Sequence, residues 1–192
     1  MIKLKGDSLP VAGDEFTPKV EPVSTQPKIT QFEDGYRGTA VIVKDPYGYR
    51  VKSSGDDPKV VLKSLPESID TGSATITWKM KAANNARTRN GFIVLSSDEN
   101  ATASVVAGAW FGANKMTLFE NIGGWDGASK QCACDGELVC RAVVDMDARN
   151  LKLTVNGVDL AFTFSESVTS INYIGFGIRN AETLFTEPEI RR

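Results

Sequence analysis

From about residue 39 onward, short β patterns recur at a spacing of about 8 to 12 residues, several of them alternating polar and apolar residues with a period of two. In Thr75-Ile76-Thr77-Trp78-Lys79-Met80-Lys81, Ile76, Trp78 and Met80 share one face while Thr and Lys share the other, the pattern of a strand with one buried side. Leu138, Cys140, Ala142, Val144 and Met146 alternate with Val139, Arg141, Val143, Asp145 and Asp147, which a helix of period 3.6 does not produce. Leu151, Leu153 and Val155 continue the alternation, and Asn156-Gly157 then leads into the segment Val158 to Phe164. An Asn-Gly pair between alternating strands predicts a hairpin, because both residues tolerate positive φ. Further strands are predicted over 39–44, 47–52, 59–63, 91–96, 103–111, 115–120, 171–178 and 183–190. About a dozen strands exceed what one open sheet holds without curling, so two packed antiparallel sheets are expected. The phases place Ile76, Trp78, Met80, Val144, Met146, Leu151, Leu153, Phe162, Phe164, Ile174 and Phe176 in one sandwich core.

Composition supports an all-β class: 17 Val, 11 Ile and 15 Thr stand against 11 Leu, and β-branched residues suit a pleated, half-buried surface. Residues 1–31 hold half of the prolines (Pro10, Pro18, Pro22 and Pro27) without either periodicity. They read as a Pro-rich extended arm or linker preceding a β-sandwich domain over 32–192. The chain has 192 residues with 22 Lys plus Arg against 24 Asp plus Glu, a net charge of −2, and no histidine. Without imidazole there is no Ser-His-Asp or Cys-His catalysis and no His-ligated zinc. Mixed charge argues against nucleic acid and against an anionic membrane as partners. No apolar run approaches the roughly 20 residues that span a bilayer. Met1-Ile2-Lys3-Leu4-Lys5 lacks the apolar stretch of a signal peptide, so a soluble chain is expected.

The stretches Gly72 to Lys81, Val143 to Asp147, Leu151 to Gly157 and Ile171 to Gly177 carry a Trp-bearing strand, a strand ending in Asp, a Leu-x-Val-Asn-Gly hairpin and a closing Ile-Gly strand. Over about residues 32 to 190 this order resembles the concanavalin A-like lectin/glucanase superfamily, of the laminin-G-like jelly-roll type. The resemblance implies a two-sheet jelly roll. It leaves function open, since the superfamily includes lectins, adhesion modules, glycanases, lyases and purely structural domains.

Several constellations bear on chemistry. Trp125 lies in the glycine-rich Asn121-Ile-Gly-Gly-Trp-Asp-Gly127, where the ring either stacks on a sugar while Asn121 and Asp126 take hydroxyls, or folds back as a lid on the sandwich. Arg87 and Arg89, among asparagines in Asn84 to Asn90, form either a fork of donors for an acidic ligand or a polar hairpin tip. Asp145 and Asp147 share a face of the predicted strand, but the Glu-x-Asp-x-x-Glu motif of the laminarinase-like enzymes that the resemblance brings in is absent: Val143 precedes, and Arg149 and Asn150 follow. A solvated strand face is the simpler reading. Calcium on these carboxylates or on Asp159 would lack any clustered ligand loop, and no cofactor is implied. Asn100-Ala-Thr102 is an N-glycosylation sequon, relevant only in a eukaryotic secretory pathway. Cys132, Cys134 and Cys140 lack a fourth metal ligand. A two-residue turn before Glu137 would set Cys132 opposite Val139, whereas a three-residue loop would set it opposite Cys140 and permit a disulfide. Free thiols, with Cys140 in the core row, are expected.

The leading functional reading is therefore a non-catalytic recognition or adhesion module that binds carbohydrate through loops and one sheet face. The alternative is a structural assembly protein, such as a virion decoration or fibre-anchoring subunit, whose arm docks on a neighbouring subunit or homo-oligomer. A polysaccharide lyase or hydrolase ranks behind both, because it would need Tyr or Lys in place of His as base. These readings imply a cell-surface or extracellular setting, or a virion after cytoplasmic assembly.

Overall fold

The computed structural model describes residues 30, 31, 33–83, 90–124 and 127–192. The strands are β1 (Thr30–Gln31), β2 (Arg37–Gly38), β3 (Val41–Asp45), β4 (Gly48–Ser53), β5 (Lys59–Ile69), β6 (Ser73–Ala82), β7 (Asn90–Ser96), β8 (Ser104–Trp110), β9 (Lys115–Glu120), β10 (Gly127–Gln131), β11 (Leu138–Asp145), β12 (Asn150–Val155), β13 (Val158–Thr163), β14 (Ile171–Ile178), β15 (Ala181–Phe185) and β16 (Glu189–Arg191). They form two antiparallel sheets packed as a sandwich. The first runs β1-β2-β5-β14-β7-β8-β9-β10; the second runs β13-β12-β11-β6-β15-β4-β3, with β16 also paired to β6.

The period-two phases sort as expected. Ile76, Trp78, Met80, Val144, Met146, Leu151, Leu153, Phe164, Ile174 and Phe176 are buried in one cluster between the sheets. At one end of that core the Phe176 ring lies 4.6 Å from Phe185, 5.4 Å from Tyr36 and 5.7 Å from Tyr49 between centroids. Phe162 departs from the expectation and is only partly buried. Its strand, β13, is the edge of the second sheet, so no further strand flanks it. The hairpin at Asn156-Gly157 forms as the dipeptide requires, with φ of 48° and 84° and Val155 opposite Val158.

Three other expectations are corrected. The strand expected at residue 39 begins at Val41, because Thr39 and Ala40 both donate their N–H groups to the Val60 carbonyl (2.7 and 3.1 Å) where the chain passes from the first sheet to the second. The strand expected over 183–190 is broken between β15 and β16. There Pro188 has no N–H to give, and Thr186 engages Lys79 through both its N–H and its hydroxyl, each at 2.9 Å. The hairpin assumed between Cys132 and Cys140 does not exist. β10 pairs with β9 in the first sheet while β11 pairs with β6 and β12 in the second, so residues 132–137 are a crossover and neither turn register applies. All three thiols are free and buried, with the Cys132 and Cys134 sulfurs 2.8 Å apart.

The first sheet is apolar on its outer face as well. Val60, Leu62, Phe92, Val94, Val106 and Phe119 form a second cluster there, joined by Ala101 and partly buried Ile122. Gly177 leaves the space that Ile122 uses: a Cβ on Gly177 would lie 2.8 Å from Ile122 Cδ1. The Asn121–Gly124 loop therefore lies across this face and closes its middle, leaving the margin at β2, β5 and β14 open.

Candidate functional site

At that margin a groove of about 340 Å³ is lined by Asp34, Gly35, Arg37, Leu62, Lys63, Ser64, Glu99 and Tyr173. Strand register explains its floor. Arg37 is opposite Leu62 on β5, and Leu62 is opposite Gly175 on β14, so Arg37 and Leu62 point outward side by side. Tyr173 is opposite both Ser64 and Ser96 and stands on the same outer face, out of phase with buried Ile174 and Phe176. The β5–β14 pairing jumps from Ser64–Tyr173 to Ile69–Ile171, so Leu65 to Ser68 arch away in an extended bulge containing Pro66. Bulges re-aim neighbouring side chains and interrupt pairing; here the interruption leaves the groove open beside Tyr173. The half-buried ring packs against the outer apolar cluster.

The rim is ordered by charge. Lys44 approaches Asp34 at 2.6 Å and donates to the Tyr49 hydroxyl at 2.9 Å, which donates in turn to Asp34 Oδ2 at 2.9 Å. The bond from Lys44, followed by that from Tyr49, holds the Asp34 carboxyl below the usual carboxylate range. Burial pushes the Tyr49 phenol up to about 12. Lys63 pairs with Glu187 and lies 4.9 Å from the Tyr36 ring centroid. Glu99 follows Asp98, whose carboxylate accepts from the backbone of Ala103 (2.8 Å), Thr102 (3.2 Å) and Asn100 (2.9 Å), so the 97–103 loop is fixed at its base. No ion pair among the described residues engages Arg37 or Glu99.

Of the residues singled out in the sequence, Trp125, Asp126, Arg87 and Arg89 lie outside the described residues. Asn121 is placed: its Oδ1 accepts from Ser104 N–H at 3.1 Å, and its own N–H donates to the Ser104 carbonyl at 2.8 Å. With φ of 56°, it anchors the loop that crosses the sheet. Asp145 and Asp147 do not stand side by side on a strand. β11 ends at Asp145, which accepts from Ser73 (3.0 Å) and Ala148 N–H (2.8 Å), while Asp147 belongs to the following turn. Asp159 is held by Lys152 at 2.7 Å and by Thr154 at 2.6 Å. Among the described residues no cluster of three or more His, Cys, Asp or Glu is placed to hold a metal. The groove residues were not evident in the sequence, since they come from segments near 35, 63, 99 and 173. The one available signal was Tyr173, an aromatic on the polar phase of a predicted strand.

No protein-family model matches the sequence, and comparison with curated proteins finds no match. Solved structures do match in fold. The carbohydrate-binding module CBM66 from Bacillus subtilis aligns with a TM-score of 0.67 at 12% identity, over 82% of this chain and 96% of that one. The legume lectin-like domain from Entamoeba histolytica aligns at 0.57 and 11% identity, over 82% and 90%. The exoplasmic/lumenal domain of VIP36, in a form bound to Ca2+ and Man3GlcNAc, aligns at 0.58 and 7% identity, over 83% and 84%. The chain has the concanavalin A-like jelly-roll fold, which it shares with a carbohydrate-binding module, a legume lectin-like domain and a domain solved with Man3GlcNAc bound.

Proposed function

We propose that this chain is a non-catalytic carbohydrate-recognition module that takes a sugar in the Tyr173 groove. The carrying observation is the seating of a half-buried ring on an apolar floor, ringed by Arg37, Ser64, Asp34 and Glu99. A sugar presents C–H faces that pack on an aromatic ring and hydroxyls that bond to such a rim. Arg37 offers a planar fork to paired hydroxyls, while Asp34 and Glu99 accept from others. The volume suits a small ligand. The fold-level likeness to lectin-like domains supports the same class of ligand. Glycoside hydrolysis needs a carboxylic acid whose pKa is raised so that it can protonate the leaving group. Asp34 is shifted the other way by Lys44, so it is not such an acid. Trp125, Asp126, Arg87 and Arg89 remain proposed contributors on the grounds of their sequence context.

A glycan array followed by calorimetric titration of the best ligand tests this. Tyr173→Ala and Arg37→Ala should each weaken binding about tenfold or more, roughly 1.4 kcal/mol, and exposed Arg37 can be replaced without lowering the melting temperature. Failure to bind any glycan, or unchanged affinity in both variants, overturns the reading.

The assembly reading also has an observation in its favour. β3 is the open edge of the second sheet, and it exposes Val41 and Val43 at 43% and 46%, the kind of edge that proteins usually blunt with charge. Residues 1–31 are proposed as the arm that such an assembly would use. Light scattering on the whole chain and on a version lacking 1–29 distinguishes a self-associating protein from a monomeric module.

A further inference from the structure

A second groove, of about 550 Å³, lies on the outer face of the other sheet. It is lined by Ser73, Thr75, Thr77, Arg141, Arg191 and Arg192. We infer that it binds the sulfate or carboxylate groups of an acidic polysaccharide, with Arg141 at its centre. The strand phases build it. Ala74, Ile76, Trp78 and Met80 of β6 face the core, so Ser73, Thr75 and Thr77 point outward. Arg141 on β11 is opposite Thr77, and on the other flank of β6 Arg191 of β16 is opposite Thr75. The lining consists of guanidinium and hydroxyl side chains, and the carboxylates at its border are already engaged: Asp145 accepts from Ser73 at 3.0 Å, and Glu189, opposite Thr77, pairs with Arg191. Among the described residues Arg141 reaches the Thr75 hydroxyl, at a long 3.4 Å, and has no carboxylate partner. Arg191 pairs with Glu189 of its own strand at 3.3 Å, with both side chains well exposed at 80% and 67%. Arg192 stands 3.9 Å from Glu67. Exposed pairs of this kind compete weakly with an arriving oxyanion, to which each guanidinium can present a fork of N–H donors.

The spacing selects a polymer over a free ion. β11 and β16 flank β6, with Arg141 opposite Thr77 and Arg191 opposite Thr75, so the two backbones stand two strand spacings apart across the sheet and two residues apart along it, about 12 Å in all. One small oxyanion engages one fork, whereas successive charges on a chain engage both. A net charge of −2 weighs against nucleic acid, and no aromatic side chain lines the groove to stack a base. The Thr75 and Thr77 hydroxyls can donate and accept, and Ser73, whose proton goes to Asp145, can accept, which matches the hydroxyls between the charged groups of a glycan. This inference shares with the Tyr173 reading only the class of ligand; the two grooves occupy different sheets.

The test is affinity electrophoresis of the full chain through gels containing dextran sulfate, neutral dextran or polyglutamate at low ionic strength, with inorganic sulfate as competitor. Dextran sulfate should retard the protein and neutral dextran should not. Arg141→Gln should weaken the interaction about tenfold or more, and Arg191→Gln should weaken it in the same direction. Arg141→Lys should restore only part of the loss, and Lys130→Gln, the same loss of charge at an exposed position on β10 of the other sheet, should leave retardation unchanged. Both arginines are exposed, and an unchanged melting temperature confirms that the variants are folded. The inference is overturned by absence of retardation, by equal retardation of wild type and Arg141→Gln, by inorganic sulfate competing as well as the polymer per charged group, or by polyglutamate binding as tightly. Dextran sulfate binding without any ligand at the Tyr173 groove would remove that first reading and leave this one standing.

Discussion

Phe162→Ala and Phe176→Ala make the same chemical change at two positions that look alike in the sequence, each in phase with a buried row. The structure separates them. Phe176 has no exposure, sits on a central strand and meets the rings of Phe185, Tyr36 and Tyr49 at 4.6, 5.4 and 5.7 Å. Truncation there loses the transfer free energy and leaves an enclosed cavity, about 3–5 kcal/mol. Three ring contacts at about 0.5–1.5 kcal/mol each place it at the top of that range. Phe162 is partly buried on edge strand β13, where water fills the space left behind. Only part of the roughly 1.5–3 kcal/mol for burying a Phe is then lost, about 1 to 1.5 kcal/mol. Urea unfolding followed by tryptophan fluorescence gives both values from one assay. The expected gap is at least about 2 kcal/mol, and Phe176→Ala unfolded in buffer alone is consistent with it. Equal destabilisation of the two variants would refute the assignment of core and edge.

Two further outcomes follow from the buried thiols and from a half-buried, hydrogen-bonded carboxylate. Burial pushes the Cys134 and Cys140 thiols up, so with all three cysteines buried and unpaired, Ellman's reagent should find none accessible in the native protein and three in denaturant; only one in denaturant would reveal a disulfide. The Asp98 carboxyl is raised by burial but lowered further by the donors of Ala103, Thr102 and Asn100, for a net lowering. A folded pKa below the unfolded value of about 3.9 gives stability that is full above that value and is lost as pH falls through the folded one. Asp98→Asn should therefore be less stable than wild type near neutral pH, with the difference shrinking toward about pH 3. A difference that grows on acidification would reverse the assigned sign.

Period-two alternation and one Asn-Gly pair were enough to define which side of β6, β11 and β12 is buried and where β12 turns into β13, whereas β7, β8 and β9 are buried on both faces and show no such alternation. Those are local properties: the phase of a strand depends only on its own residues, and a positive-φ turn only on its own dipeptide. The choice of partner strand is not local. Nothing in the residues around Cys132 says that β10 remains with β9 while β11 joins the other sheet, so a hairpin was expected where the chain crosses between sheets. The same limit applies to Phe162, whose pattern gives its face but not its place at a sheet edge. It applies most strongly to the two grooves. Arg37, Ser64, Glu99 and Tyr173 lie far apart in sequence, as do Thr75, Arg141 and Arg191, and each set meets only through strand order and register. Alternation set Thr75 and Arg141 outward and put Tyr173 out of phase with its buried neighbours; Arg37, Ser64, Glu99 and Arg191 lie outside the predicted strands, and the long-range pairing of β2 with β5, β5 with β14 and β16 with β6 decided which side chains became neighbours.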